Sequence, residues 1–152
     1  MPQKTSSGVL SNNRSVRFHY EIIERFEAGI ELTGRETKAC RVEHPNLRGA
    51  HIAIAKNGSA VIKNLDIPPY RFASNQPYER RRDRRLLLNA RELVKIRKMT
   101  EEKGVTAVPL NIHLKGPWIK VEIVLGRGKK KWDKRETIKN RDVDRQTKRE
   151  MR

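Results

Sequence analysis

The sequence predicts a small, mainly antiparallel β protein, and three observations carry that reading. Apolar residues recur with period two through much of the chain, two such stretches fold back on themselves around turn signals, and only two segments open with a helix cap. The 152 residues suit one domain. Residues 1–13 are polar and rich in Ser and Asn, and residues 133–152 offer only Ile138, Val143 and Met151 as sizeable apolar side chains, too few to offset the entropy of ordering them. The body is therefore expected over residues 14–127. A flexible N-terminus (1–13) and a basic C-terminal tail (128–152), disordered in isolation, flank it.

Each element has its own signal. Tyr20, Ile22, Glu24 and Phe26 alternate with His19, Glu21, Ile23 and Arg25 as in a strand, and residues 29–32 start a second strand after a turn. Thr33 and Glu36 form a Thr-x-x-Glu capping box that opens a short helix to about Val42, and Pro45 stops it. Residues 51–55 and 60–67 flank Asn57-Gly58, a pair suited to a type I′ hairpin turn. Pro68, Pro69 and Pro77 mark residues 68–85 as an irregular connection that ends in an arginine cluster at 80–85. Asn89 with Glu92 caps a second helix, Leu88 and Leu93 sit at the positions of a hydrophobic staple, and Gly104 is a ready C′ residue. Residues 105–114 and 118–125 pair around Gly116-Pro117, with Val108, Leu110, Ile112 and Leu114 answering Ile119, Val121, Ile123 and Leu125; Pro109 places its strand at an edge or bulge. A barrel closed by strands from both halves would use these pieces and leave no open edges.

Charge points to the partner. Lys and Arg number 35 against 18 Asp and Glu, a net +17, and a polyanion is the natural neutraliser of such self-repulsion. Nucleic acid fits better than an anionic membrane, because no amphipathic cationic helix, lipidation signal or long apolar run is present. The N-terminus lacks the apolar stretch of a secretion signal, so a cytoplasmic protein is expected. The one cysteine, Cys40, excludes an internal disulfide and any zinc site built from cysteines. His19, His44, His51 and His113 show no metal-ligand spacing and no neighbouring nucleophile, which speaks against an RNA-processing enzyme. Residues 80–98 carry nine Lys and Arg against two Asp and Glu, and residues 126–152 twelve against five, so each stretch holds a net +7. Within the second, residues 126–139 combine glycines, cations and Trp132, a chemistry suited to gripping phosphates and stacking a base. A merely solvated arginine loop and a merely solvated tail are the alternatives.

Four blocks carry a resemblance. They are Asn13-Arg14-x-x-Arg17; Phe26-Glu27-Ala28-Gly29-Ile30-x-Leu32-x-Gly34-x-Glu36-x-Lys38; Arg85-Leu86-Leu87-Leu88-x-x-Arg91-Glu92; and Gly128-Lys129-Lys130-x-x-Asp133-Lys134-Arg135-x-Thr137-Ile138-Lys139. In order and spacing the chain resembles the small protein B (SmpB) family of bacterial tmRNA-binding proteins. The resemblance implies a closed, oligonucleotide-binding (OB) type barrel with about three helices, and a non-enzymatic, cofactor-free role in trans-translation, the rescue of ribosomes stalled on broken mRNA. It also implies that Asn13, Arg14, Arg17, Glu27 and Leu87 grip the tRNA-like end of tmRNA, with Lys38 and Arg85 as phosphate contacts. Phe18 stands where the family commonly has histidine and keeps an aromatic plane. Gly126 and Gly128 would give a flexible exit into the tail. There Lys129, Lys130, Lys131, Lys134 and Arg135, with Gly128 and Asp133, would engage small-subunit RNA at the decoding centre and mRNA channel, and Trp132, where Tyr or His is usual, would stack on a base. Two bland alternatives stay open: Glu27 as a carboxylate paired with Arg25 or Lys38, and Leu87 as core. A monomer is expected. The rival function is another ribosome-associated or structural RNA-binding module.

Overall fold

A computed structural model describes residues 8–72 and 77–129 of the chain. In order these form β1 (Val9–Asn12), α1 (Val16–His19), β2 (Tyr20–Ile30), α2 (Gly34–Val42), β3 (His51–Ile54), β4 (Ala60–Lys63), β5 (Arg84–Leu87), α3 (Ala90–Thr100), β6 (Val105–Lys115) and β7 (Trp118–Gly128). Both capping boxes are made. Thr33 Oγ1 accepts from the Glu36 N–H at 3.2 Å and Asn89 Oδ1 from the Glu92 N–H at 2.9 Å, each Glu returning the bond. No helix among the described residues is long and apolar enough to cross a membrane.

The strands make one antiparallel sheet in the order β1-β6-β7-β2-β5-β4-β3. This is mainly β and antiparallel as expected, but the ladder is open, not a closed barrel. β3 comes close to β6 without pairing. The edge of β6 that closure would use is taken by β1 along Asn111, Ile112 and His113, and Pro109 has no N–H to offer.

Two bulges decide which residues face where. One interrupts β2 between Ile22 and Glu24, the other β6 between Pro109 and Asn111. An extra residue shifts the period-two pattern to the other face. Phe26, Ala28, Val105, Ala107 and Ile112 therefore join the main core with Ile119, Val121, Ile123 and Leu125. Val108, Leu110 and Val124, with Tyr20 and Ile22 beside them, form a second small core under Val16 of α1. The expected grouping of Val108 and Leu110 with Ile112 fails for this reason.

Other differences have local causes. Residues 9–12, read as part of the N-terminal tail, form β1, and Leu10 packs into the main core. Residues 20–30 are one strand, because Gly29 stays in register opposite Lys120 and Leu87. The 51–63 hairpin closes without a type I′ turn: only Gly58 has positive φ (88°), and its N–H bonds to Ala55 O at 2.9 Å, a three-residue loop with glycine in the left-handed position. Asn64, at φ 62°, ends β4 earlier than expected. α3 stops at Thr100, and Gly104 instead turns the chain into β6. Gly126 and Gly128 lie in β7, and a Cβ on Gly126 would sit 2.7 Å from Tyr20 Cβ, so this glycine is required by close packing and is no flexible exit.

Candidate nucleic-acid interface

The outer face of β5-β2-β7-β6 has two zones. At one end α1 covers the second core. Asn13 holds it there, its N–H bonded to Leu110 O at 2.8 Å and its Nδ2 to Pro109 O at 3.2 Å, while its Oδ1 accepts from Ser15. The carboxamide is thus engaged by the protein, and it fixes the segment that presents Arg14 and Arg17. Both arginines are exposed and have no acidic partner among the described residues. Phe18 stacks edge-on to His19 at 5.1 Å. Lys129, the last described residue, returns to this helix: its N–H bonds to His19 O and its Nζ to Arg17 O, both at 2.9 Å. A cation suits the carbonyls of a helix end. The last described residue therefore lies against α1, beside Arg17.

The other zone is a polar row beside an apolar groove. Past the bulges, Glu27, Lys120, Glu122, Asn111, His113 and Lys115 all point outward, while Ala28, Val121, Ile123 and Ile112 point in. Glu27 accepts from His113 Nε2 at 3.1 Å and from Lys115 Nζ at 3.2 Å, so its partners come from β6 and are neither Arg25 nor Lys38. Arg25 pairs with Glu122 instead. The hydrogen bond from His113 draws the Glu27 carboxyl below its ordinary range, partial desolvation opposes this, and Lys115 adds to the lowering.

Leu87 is not core. It is 49% exposed on β5, and its Cβ lies 3.3 Å from where a Cβ on Gly29 would stand. With Gly29, Ile30, Thr37, Trp118 and Lys120 it lines a cavity of about 460 Å³. Trp118, 69% exposed, gives this groove a flat aromatic wall at the β6–β7 turn, and Arg41 of α2 braces that turn by bonding to Pro117 O at 3.0 Å. Lys38 is exposed on the same helix, next to Thr37. An apolar groove, an indole face, an ammonium and an anchored carboxylate are what an unstacked base and its phosphate require.

The arginine cluster at 80–85 divides between internal pairs and exposed side chains. Arg84 is fully buried: its Nε donates to Glu36 Oε2 at 2.6 Å, Nη1 to Leu65 O at 2.9 Å and Nη2 to Arg80 O at 3.1 Å. Arg82 holds the other oxygen of Glu36 at 2.6 Å, and Arg80 pairs with Asp66 at 2.9 Å. Burial raises the pKa of Glu36, but the bonds from Arg82, the Thr33 N–H and Arg84 together outweigh it and leave the carboxyl below its ordinary range. Arg85 is exposed and 3.9 Å from Glu31. Arg80, Arg82 and Arg84 are thus taken up by Asp66 and Glu36, while Arg81 and Arg85 stay exposed. Among the described residues no cluster of His, Cys, Asp and Glu could hold a metal ion.

The family model described as SmpB protein matches residues 10–152. The chain belongs to the SmpB family. An SsrA-binding protein of Nostoc punctiforme is 46% identical over 145 residues, 94% of this chain and 92% of that relative. One of Lactobacillus delbrueckii subsp. bulgaricus is 43% identical over 153 residues, covering 100% and 99%. A solved structure described as "tmRNA-SmpB: a journey to the center of the bacterial ribosome" superposes with a TM-score of 0.66 at 38% identity, covering 80% of this chain and 85% of that one.

The exposed, described residues of the SmpB blocks quoted above fall on this outer face, while Phe26, Ala28, Glu36 and Leu86 are buried. Asn13, Arg14, Arg17 and Phe18 gather at α1 with Gly128 and Lys129, and Glu27, Leu87 and the neighbouring Lys38 gather around the groove, with Arg85 at its β5 side. Lys130, Lys131, Trp132, Asp133, Lys134 and Arg135 lie outside the described residues. Sequence reasoning missed Asn111, His113, Lys115, Trp118, Lys120 and Glu122. Their signal was alternation with Ile112, Leu114, Ile119 and Val121, which marks the outward set of two paired strands.

Proposed function

We propose that the chain is a trans-translation factor that binds the tRNA-like domain of tmRNA with its outer face and brings it to ribosomes stalled on broken mRNA. The observation that carries this is one surface holding, at one end, Arg14 and Arg17 with no acidic partner among the described residues and, at the other, the anchored Glu27 beside the Leu87–Trp118 groove. The arginines neutralise phosphates, and the carboxylate and groove recognise base or ribose groups, a division that shape-specific RNA binding requires. We read the sheet as an open variant of the OB type and the body as running from β1 through β7. Beyond Lys129 the basic tail enters the decoding centre and mRNA channel, with its cations on ribosomal RNA. The factor works in the cytoplasm as a monomer and catalyses no reaction.

Co-purification tests the reading. The tagged chain, expressed in bacterial cells, should recover one tRNA-like RNA selectively, and removal of residues 133–152 should leave that recovery intact while abolishing tagging of stalled peptides in a reconstituted translation reaction. Recovery of ribosomal RNA without tmRNA would instead favour a ribosome-associated module outside rescue.

A further inference from the structure

His113 occupies the middle of the polar row, and both of its ring nitrogens face acceptors. Nδ1 lies 2.7 Å from Asn111 Oδ1 and Nε2 lies 3.1 Å from Glu27 Oε1. The Asn111 carboxamide cannot simply be turned round, because its Nδ2 donates to Glu122 Oε2 at 2.7 Å and reversal would set oxygen against carboxylate. Glu122 is held in turn by Arg25. A neutral imidazole has one N–H and can serve one of the two acceptors; the imidazolium serves both.

We propose that His113 is a positioning residue for RNA recognition: as an imidazolium it clamps the Glu27 carboxylate in one orientation, and loss of a proton releases the clamp, so that affinity for RNA falls as pH rises. The proposal rests on the reading of this face as the tmRNA-binding surface. A neutral ring that gives its single N–H to Asn111 leaves Glu27 only Lys115, a side chain 67% exposed on a flexible stem, and one that gives it to Glu27 sets a bare Nδ1 against Asn111 Oδ1 and loses the charge assistance. A carboxylate free to rotate is a poor acceptor for a base or ribose donor, and one without its imidazolium partner repels phosphates more strongly. Both effects have the same sign. The charged groups around the ring are Glu27 and Arg25 from β2, Lys120 (directly opposite in the ladder) and Glu122 from β7, and Lys115 from its own strand; β1 brings only Val9 against it. Glu27 already titrates below its ordinary value of 4.5, so it stays charged through the range in which histidine side chains change charge.

The test uses the full chain and a transcript of the tRNA-like end of tmRNA, at constant ionic strength, at about pH 5.5 and about pH 8.5, either side of the histidine range. The native chain should bind about fivefold more tightly at the lower pH, the size of one net hydrogen bond. His113→Arg keeps donors for both acceptors at either pH and should bind tightly at both. His113→Leu should bind weakly at both. The same pH slope in the native chain and in both variants, each checked for an unchanged thermal transition, would overturn the proposal; should His113→Leu not fold, His113→Arg alone decides it. A native chain that prefers the transcript over an unrelated RNA of equal length at neither pH removes the underlying reading of the face instead.

Discussion

Two arginine groups of this protein look alike in sequence and differ in use. Arg14, in the turn before α1, and Arg17 on it have no acidic partner among the described residues, whereas Arg80, Arg82 and Arg84 are consumed by Asp66 and Glu36. The difference lies in what surrounds them. α1 sits on a small apolar core of Val16, Val108, Leu110 and Val124. The 80–85 segment runs into the main sheet, where alternate residues must face inward, and an inward arginine persists only if every donor is matched. Net charge therefore overstates the ligand-facing charge.

The largest expected effect breaks the internal group. Glu36→Gln keeps the hydrogen bond to the Thr33 N–H, since glutamine also serves at that position of a capping box, but leaves Arg84 buried without a counter-charge. Removing one partner of a buried pair costs about 3–5 kcal/mol. At about 2–4 °C per kcal/mol for a domain of this size, the thermal midpoint should fall by about 10 °C. The pH dependence has a definite sign. With its folded-state pKa below the ordinary 4.5, Glu36 adds stability that is fully present above that value and disappears as pH falls through the lower, folded one. Glu36→Gln should therefore flatten the acid limb of a stability–pH curve. An unchanged limb would show that the pair is not what holds the connection in place.

Next in size is the groove. Trp118→Ala and Leu87→Ala remove exposed apolar surface, so the melting temperature should hold while RNA affinity drops by about 1–3 kcal/mol for a stacked base. Loss of stability without loss of affinity would mean that the groove is only a packing defect. Trp118→Phe, which keeps a ring, should retain most of the binding.

These contrasts also show what the sequence made legible. Both capped helices and both hairpins were readable, because caps, turn residues and alternation are local signals. The bulges at Ile22–Glu24 and Pro109–Asn111 were not: one extra residue leaves composition unchanged and still reverses the faces, so the second core and the ledge for α1 went unseen. β5 was hidden for another reason. Arg84 reads as a charge, and only its tertiary partner Glu36, 48 residues away, makes it a core residue. At the site, Glu27 and Leu87 came from the family resemblance, while their neighbours His113 and Trp118 needed the register of β6 against β7.

The smallest effects separate the two arginine groups directly. If Arg14 and Arg17 each neutralise a phosphate, replacing either by alanine should flatten the slope of log affinity against log salt by about 0.7–0.9, with no change in the thermal midpoint. Arg80→Ala removes the same formal charge from a guanidinium already paired with Asp66 on the surface. The pair is bidentate and Asp66 is only 15% exposed, so losing Arg80 should lower the thermal midpoint slightly. The salt slope should not move beyond error. Asp66→Ala supplies the complementary measurement, because it frees Arg80 without adding charge to it. If freeing Arg80 steepens the slope, the loop lies within reach of the RNA and pairing alone had silenced it; if the slope stays put, the loop lies off the bound surface. An Arg80→Ala slope that flattens as much as that of Arg17→Ala would end the distinction between the two groups.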